Sequence, residues 1–498
     1  MAELKNKVIR GFAWNVGEKV ASAMFSAWVT VNIINRIVPE EYALKAIFVP
    51  LVAIFNIFVD SGFSQALIRN RHATQTDYSS AFWFNIAASV VIYALLVGIA
   101  WPAAWFLDMP DLVRFAPVFF LVVPLGALGL IQQTVLSREF DFRRMSAITF
   151  ASNVGSGLVG VALASGGLGF WAIVGQRVSQ ISIRTALLWI FGRWRPLASF
   201  STASIRTMLG YSSRLLGTDL LNNLYAYIPN FIIGRTNASA TLGIYEQARS
   251  LRDLPVTSTM SSMQSVTFPA LASIGDDDEK FAAAVGRVLS SIMFLMLPMM
   301  AGLILVADEV FGIFLVEHWW SAVPFFRILC IAGAVTPLAV VSSNILRTRS
   351  DGRDVMRAEV VKKIFATVIL AATIPFGVTA IAWGVVGIAF TDAAVTFAFA
   401  RRHSRYGLGA LVRDVLPVVG LTLVMVAAVA AVSVVAARPV LWAGSLVSTK
   451  FALGLLAGVK VVAGAGVYMA GAAILRLAAF REFTELVRRV VGKVRGGS

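Results

Sequence analysis

From Gly210 to Phe268 the chain reads GYSSRLLGTDLLNNLYAYIPNFIIGRTNASATLGIYEQARSLRDLPVTSTMSSMQSVTF. Two hydrophobic runs meet near Thr236, and both carry charge: Arg214 and Asp219 in the first, Glu246, Arg249, Arg252 and Asp253 in the second. Ionisable side chains at membrane depth are costly, so they face a wet cavity or a partner. Glu246, Arg249 and Asp253 recur at spacings of three and four, which stacks them on one helix face. Two readings follow. In one, the pairs Glu246–Arg249 and Arg249–Asp253 only hold helices together. In the other, both spans line a polar cavity inside a transporter.

The rest of the chain sets the context. Its 498 residues are 58% hydrophobic and 14% charged, with a mean hydropathy of +0.78. Apolar runs long enough to cross a bilayer recur throughout, so the chain is a polytopic all-α membrane protein. The formal net charge of +16 does not indicate nucleic acid, because the basic residues are spread between spans instead of forming one patch. A single cysteine, Cys330, excludes an internal disulfide and a cysteine metal cluster. The N-terminal MAELKNKVIRGFAW mixes acid and base and shows no small-residue cleavage site, which predicts a short interfacial helix leading into the first span.

Hydropathy predicts about fourteen spans. They run Gly11 to Asn35, Tyr42 to Phe63, Ser80 to Phe106, Leu112 to Gln133, Ala147 to Ser165 and Gly169 to Phe191; then come the two opening runs. Val285 to Ala307, Ala322 to Ile345, Val360 to Phe376, Val378 to Ala400, Val415 to Ala436 and Phe451 to Leu475 complete the set. Arginine and lysine crowd alternate connections, for example Arg138, Arg143 and Arg144, then Arg193, Arg195 and Arg206, then Arg401, Arg402, Arg405 and Arg413. The intervening loops hold few basic residues, Arg36, Arg114, Arg235 and Arg438 among them, so both termini are expected in the cytoplasm.

An internal repeat is visible. Gly11 to Arg36 ends IINR, Gly210 to Arg235 ends IIGR, and LSREFDFRR (Leu136–Arg144) is echoed by LRTRSDGRD (Leu346–Asp354). The expected architecture is two bundles of about six helices, 1–200 and 201–410, related by a pseudo-twofold axis around a central cavity, plus two further helices in 411–498. The repeat sets Glu18 and Lys19 beside Asp219, and Lys45 beside Arg249. Pro50 and Pro255 interrupt the second and eighth spans at nearby positions.

Other chemistry is missing. His72, His318 and His403 are far apart, with no ligand spacing, so no metal or cofactor is expected. There is no GxxxxGK[ST] phosphate loop and no loop long enough for a soluble catalytic domain, and the chain does not read as an enzyme. The runs NVGSGLVG and SGGLGFWAIVGQ suggest close helix packing, and Trp319 and Trp320 read as interfacial aromatics. Arg177, Arg327, Asp392 and Lys460 are also intramembrane, and Arg184 is placed to snorkel.

Several stretches carry a family resemblance: GFAWNVGEKV, DSGFSQALIRN, FWFN, LSREFDFRRMSAI, GGLGFWAIVGQRV, RWRPLASFS, LGIYEQARSLRDLP, VTFPALASI and ILCIAGAVTPL. With them the chain resembles the polysaccharide-transporter family of the multidrug/oligosaccharidyl-lipid/polysaccharide exporter superfamily, most closely its colanic-acid-exporter-like Wzx members. It departs from the family pattern at NRIVPEEYALKAIF, where a glycine usually follows the acidic pair, and at Glu317-His318-Trp319-Trp320, where Gly-Glu-x-Trp is common.

The resemblance implies a flippase of the bacterial inner membrane. It would carry an undecaprenyl-pyrophosphate-linked oligosaccharide to the periplasmic leaflet for exopolysaccharide or lipopolysaccharide biosynthesis, alongside the polymerase and chain-length proteins of that pathway. A diphosphate needs cations on its path, and Lys19, Lys45, Arg214, Arg249 and Arg252 are the candidates. Glu18, Asp219, Glu246 and Asp253 are candidates for binding a coupling proton or sodium ion. The alternatives are a cation-coupled drug exporter of the same fold and a membrane polysaccharide polymerase or ligase. The first calls for an acidic, aromatic cavity; the second calls for a large periplasmic loop rich in Arg or His, which this chain lacks.

Overall fold

The computed structural model describes residues 24–484, apart from 61–62, 71, 140, 273, 275–276, 351, 447, 478 and 482–483. Among the described residues every long element is a helix. In order they are α1 (Met24–Ile34), α2 (Pro39–Asp60), α3 (Phe63–Arg69), α4 (Gln75–Leu107), α5 (Asp111–Phe119) and α6 (Val122–Arg138). Then come α7 (Phe142–Ser165), α8 (Trp171–Phe191), α9 (Thr202–Thr236), α10 (Ser239–Ala272), α11 (Asp278–Leu305) and α12 (Ala307–Phe314). The last are α13 (Val323–Arg349), α14 (Arg353–Thr373), α15 (Gly377–Ala400), α16 (Leu408–Leu446) and α17 (Thr449–Ile474).

Within the described residues the expected spans fall on helices, the first only over Met24–Ile34 because Gly11 to Ala23 lie outside them, and the fourth divided between α5 and α6. Among the described residues nine stretches are long and apolar enough to cross a membrane. One of them, Arg353–Ala400, is 48 residues long and joins α14 to α15 through a 3-10 turn, Ile374–Phe376. That is about twice the length one crossing needs. The helices α8, α9 and α10 fall outside the nine because polar and charged residues dilute them. Large apolar side chains such as Trp101, Trp105, Phe376 and Val434 are exposed, as a lipid-facing surface requires. The chain is a multi-pass membrane protein.

Two compact units are distinguished, Met1–Gly243 and Ile244–Ser498. In the first, α7 packs along α8, α8 against α6, α6 against α4, and α9 against both α2 and α4. Glycines on α7 make the close packing that its small-residue run suggested: a Cβ on Gly157 would stand 2.6 Å from the Phe25 ring, and one on Gly155 2.8 Å from Ile183.

Several of the motifs quoted above converge on one cluster of this unit. Phe63 and Leu67 from DSGFSQALIRN, Phe82 from FWFN and Trp194 from RWRPLASFS pack together with Tyr78, Ile131 and Ile205. The strand-like connection before α9 is tied to α4: Trp194 Nε1 donates to Gln75 Oε1 (2.9 Å), the Leu197 amide to Ser79 Oγ (2.9 Å) and the Ser201 amide to Ser80 Oγ (2.8 Å). The N-terminus of α4 is itself closed by a Thr74–Asp77 capping box, and Ser204 Oγ donates to Asp77 Oδ1 at 2.6 Å. These motifs therefore set where α9 begins.

Backbone shape matters at Gly169, where φ is +54° and the Glu41 carboxylate of α2 closes over the turn. A Cβ there would stand 2.5 Å from Glu41 Oε2. Gly169→Ala is expected to cost about 1–2 kcal/mol from the left-handed backbone alone. A lowered midpoint of thermal unfolding in detergent checks this, and an unchanged midpoint contradicts it.

In the second unit α13 packs against α11 and α15, α14 against α15, and α16 against α11 and α17. Tyr468 of α17 donates its hydroxyl to the Phe294 carbonyl of α11 at 2.9 Å, so the last helix is bonded into this unit. Asp277 caps α11 by accepting from the Lys280 amide, and the Lys280 side chain 2.8 Å away holds its carboxyl below the usual range. Trp319 corrects an expectation. It is fully buried, whereas Trp320 is exposed and donates Nε1 to the Leu315 carbonyl. Both lie in the 3-10 turn Glu317–Ala322, where adjacent side chains diverge, so only one of the two can reach an interface.

Candidate functional site

The charged residues of α10 share one stretch of unbroken helix, Pro255 included. Glu246 is 7% exposed and accepts a hydrogen bond from Ser250 Oγ one turn on (3.2 Å). Arg249 Nε lies 3.6 Å from Asp253 Oδ2, and Arg252 Nη1 lies 3.2 Å from Asp253 Oδ1. The two arginine side chains are 14% exposed and the aspartate 37%. One carboxylate thus sits between two largely buried guanidinium groups and is the most open member of the three.

Packing fixes the arginines. A Cβ on Gly333 of α13 would stand 3.4 Å from Arg252 Cδ and 2.9 Å from Met300 Sδ, so the missing side chain lets the Arg252 stem lie across α13. Tyr245 meets Phe325 edge-on, with centroids 6.2 Å apart, and anchors the start of the same face. Arg252 Nε is buried with no hydrogen-bond partner, and neither amide atom of the fully buried Gln247 is bonded. A buried donor without a partner costs about 1–3 kcal/mol, so Arg252 holds bonding capacity that the protein itself does not use, while Gln247 lies on another side of the helix. A planar guanidinium with a spare N–H suits an oxyanion with several acceptor oxygens.

The other candidates are placed differently. Lys45 is on α2, where Nζ donates to Tyr42 Oη (2.6 Å) and lies 4.6 Å from the centroid of that ring. The hydroxyl and ring of Tyr42 are thus a local partner for this cation. Glu18 and Lys19 lie outside the described residues. Arg214 and Asp219 fall within the helical backbone of α9, but their side chains lie outside the described residues too.

Two buried charge groups were not among the site candidates read from the sequence, although Lys460 was read as intramembrane. On α14, Lys362 Nζ lies 2.6 Å and Lys363 Nζ 4.0 Å from the Glu359 carboxylate, and all three side chains are mostly buried. Their i, i+3 and i, i+4 spacing places all three on one face of the helix. On α17, Lys460 Nζ lies 2.5 Å from Glu309 Oε1 of α12 and also donates to the Leu305 carbonyl (3.2 Å). A lone lysine in an apolar run was the only signal there, since the partner is far away in sequence. Arg184 donates to Gln133 Oε1 of α6 (3.0 Å), a partner its place in the sequence did not reveal. Among the described residues no group of acidic, histidine or cysteine side chains is arranged to hold a metal ion.

Comparison with known proteins places this arrangement in a family. The chain is 25% identical over 332 residues to the succinoglycan biosynthesis transport protein ExoT of Rhizobium meliloti (strain 1021), covering 66% of this chain and 67% of that one. It is 24% identical over 337 residues to the lipopolysaccharide biosynthesis protein WzxC of Escherichia coli (strain K12), with coverage of 66% and 68%. The teichuronic acid biosynthesis protein TuaB of Bacillus subtilis (strain 168) is 27% identical over 299 residues, 58% of this chain and 60% of its own. In fold, the chain is similar to the lipid II flippase MurJ in an inward-closed conformation (TM-score 0.69, 13% identity, 94% of this chain and 99% of that chain). An inward-facing multidrug resistance MATE transporter of the MOP superfamily gives a TM-score of 0.59 at 15% identity, over 76% of this chain and 94% of that one. The family model described as polysaccharide biosynthesis protein matches residues 33–324, and the chain belongs to that family.

Proposed function

We propose that this protein is a flippase for lipid-linked oligosaccharides, moving undecaprenyl-pyrophosphate-linked repeat units from the cytoplasmic to the periplasmic leaflet of a bacterial inner membrane. It is a transporter and not a catalyst. The observation that carries this reading is the pair Arg249 and Arg252 held on Asp253 in a chain of the polysaccharide biosynthesis family. The relatives are named for succinoglycan, lipopolysaccharide and teichuronic acid, three chemically different glycans. What such precursors have in common is the lipid diphosphate, and it is the diphosphate that the cations meet.

In this account Lys19, Lys45, Arg214, Arg249 and Arg252 are successive stations for the diphosphate. Asp253 competes with it for the two guanidinium groups and is released as the substrate arrives. Glu18, Asp219, Glu246 and Asp253 are the groups on which a proton or sodium ion couples movement to the gradient. The internal repeat supports bundles 1–200 and 201–410 that alternate access, with 411–498 supplying two added helices. Loop arginines support cytoplasmic termini. The polymerase and chain-length proteins of the same pathway are the expected protein partners. The drug-exporter alternative rests on likeness of fold alone.

Deletion of the gene in its own host, followed by complementation, tests the proposal. Loss of surface polysaccharide with a build-up of lipid-linked repeat units, both reversed by the intact gene, is the expected result. Unchanged surface polysaccharide in the deletion strain overturns it.

A further inference from the structure

The motif GGLGFWAIVGQRV carries Arg177, and a second arginine, Arg184, follows two turns later on α8. Neither belongs to the stations assigned to the diphosphate. Gln180 falls between them at spacings of three and four, so the three side chains stack on one face of the helix. Neighbouring helices extend that face with carboxamides. Arg177 Nη1 donates to Gln180 Oε1 (2.8 Å), Gln180 Nε2 donates to Asn153 Oδ1 of α7 (2.7 Å), and Arg184 Nη2 donates to Gln133 Oε1 of α6 (3.0 Å). Packing holds the row in place. A Cβ on Gly160 of α7 would stand 2.9 Å from Gln176 Cβ, so α7 and α8 lie close together. Thr185 Oγ1 and Trp189 Nε1 tie α8 to α6 by donating to the Leu125 and Leu128 carbonyls (2.8 and 2.9 Å).

Charge and exposure decide what this face meets. Among the described residues neither arginine has a carboxylate partner, and the charged neighbour of Arg177 is Arg184, another cation. Each guanidinium commits one N–H to an amide oxygen and keeps the rest of its fork for a ligand. The exposed apolar residues Ala151 and Leu158 of α7 and Ala186 of α8 lie on the opposite sides of their helices from Asn153 and from the two arginines. The sides that suit lipid therefore point away from the row. Arg177, which is exposed, opens onto a wet space, as a charge at membrane depth requires.

A diphosphate is compact and only accepts hydrogen bonds. It suits converging cations such as Arg249 and Arg252, which meet on one carboxylate. The two arginines of α8 instead leave the helix about 10 Å apart. Carboxamides that both donate and accept stand between and beside them, a row suited to a ligand that combines hydroxyl groups with an oxyanion. An acidic oligosaccharide has that pattern: ring hydroxyls for the amides and a carboxylate for an arginine fork. We infer that Arg177 and Arg184, with Gln180, Asn153 and Gln133, form a subsite for acidic sugar units of the lipid-linked glycan, an inference that rests on the flippase reading above. A neutral glycan leaves both guanidinium groups without a counter-ion and is disfavoured for that reason.

The test compares two substrates in liposomes holding the purified full-length protein. One is an undecaprenyl-pyrophosphate-linked trisaccharide ending in glucuronic acid; the other is the same molecule with that carboxyl reduced to the alcohol. The quantity read is the ratio of their rates of movement between leaflets, taken within one preparation so that a smaller folded fraction does not change it. Wild type is expected to favour the acidic substrate about tenfold, a margin in keeping with one charge-assisted contact. The double variant Arg177→Gln, Arg184→Gln loses this preference, and Arg177→Lys, Arg184→Lys keeps part of it. Equal rates for the two substrates in wild type overturn the inference and leave the flippase reading standing, whereas no movement of either overturns both. A double Gln variant slowed by the same factor on both substrates, with the preference kept, puts the arginines on the diphosphate and overturns the inference as well.

Discussion

Arg249→Ala is expected to abolish polysaccharide export while the protein still reaches the membrane in normal amount. A diphosphate crossing an apolar region needs a cation at each stage, because an unpaired buried charge is very costly. Removing one charge-assisted contact costs about 3 kcal/mol, or roughly a hundredfold in affinity. The fold is expected to tolerate the change, since Asp253 is the most open of the three groups and keeps Arg252 3.2 Å away. Arg249→Lys restores export only in part, because a point charge does not reproduce the planar fork. Surface polysaccharide, measured against protein level by blot, is the readout. Full export by a well-expressed Arg249→Ala, Arg252→Ala double variant contradicts the role assigned to α10.

The largest effect on stability is expected at the pair between Lys460 and Glu309. Their side chains are 9% and 5% exposed, and Glu309 Oε2 has no hydrogen-bond partner beyond the pair. Lys460→Ala strands a carboxylate among apolar residues, and breaking such a pair typically costs about 3–5 kcal/mol. Replacing both partners together, Lys460→Met with Glu309→Leu, leaves no orphan and is expected to recover most of the loss. Thermal unfolding of the two variants in the same detergent separates these outcomes. A single variant as stable as the double one would show that the pair does not join α12 to α17 in the way the contact suggests.

How far these features were legible depended on whether they were local. The helical spans follow from unbroken apolar runs, and the charged face of α10 follows from spacings of three and four, so both were readable in the sequence. The division of the fourth span at Phe120 and Leu121 was marked by Pro117 and Pro124, each of which removes an amide donor and so weakens the helix there. Trp319 was misplaced because two adjacent tryptophans look alike in sequence, and only the 3-10 turn sends one inward. The partner of Lys460 was unreadable for a different reason, since α12 and α17 meet only through tertiary packing. The same holds for Gly333, whose importance lies in the Arg252 stem that crosses it. For Glu18, Lys19, Arg214 and Asp219 the sequence remains the whole argument.

Transport by the isolated protein is the most direct test of the central claim. The purified chain is reconstituted into liposomes carrying a fluorescent undecaprenyl-pyrophosphate-linked oligosaccharide, and a membrane-impermeant reagent that attacks only outer-leaflet glycan reports its position. The account predicts that the protein makes the protected inner-leaflet pool accessible, that Arg249→Ala slows this by about two orders of magnitude if the full affinity loss appears in the rate, and that protein-free liposomes keep the pool protected. Protection that is the same with and without the protein, across both imposed proton and sodium gradients, would contradict it.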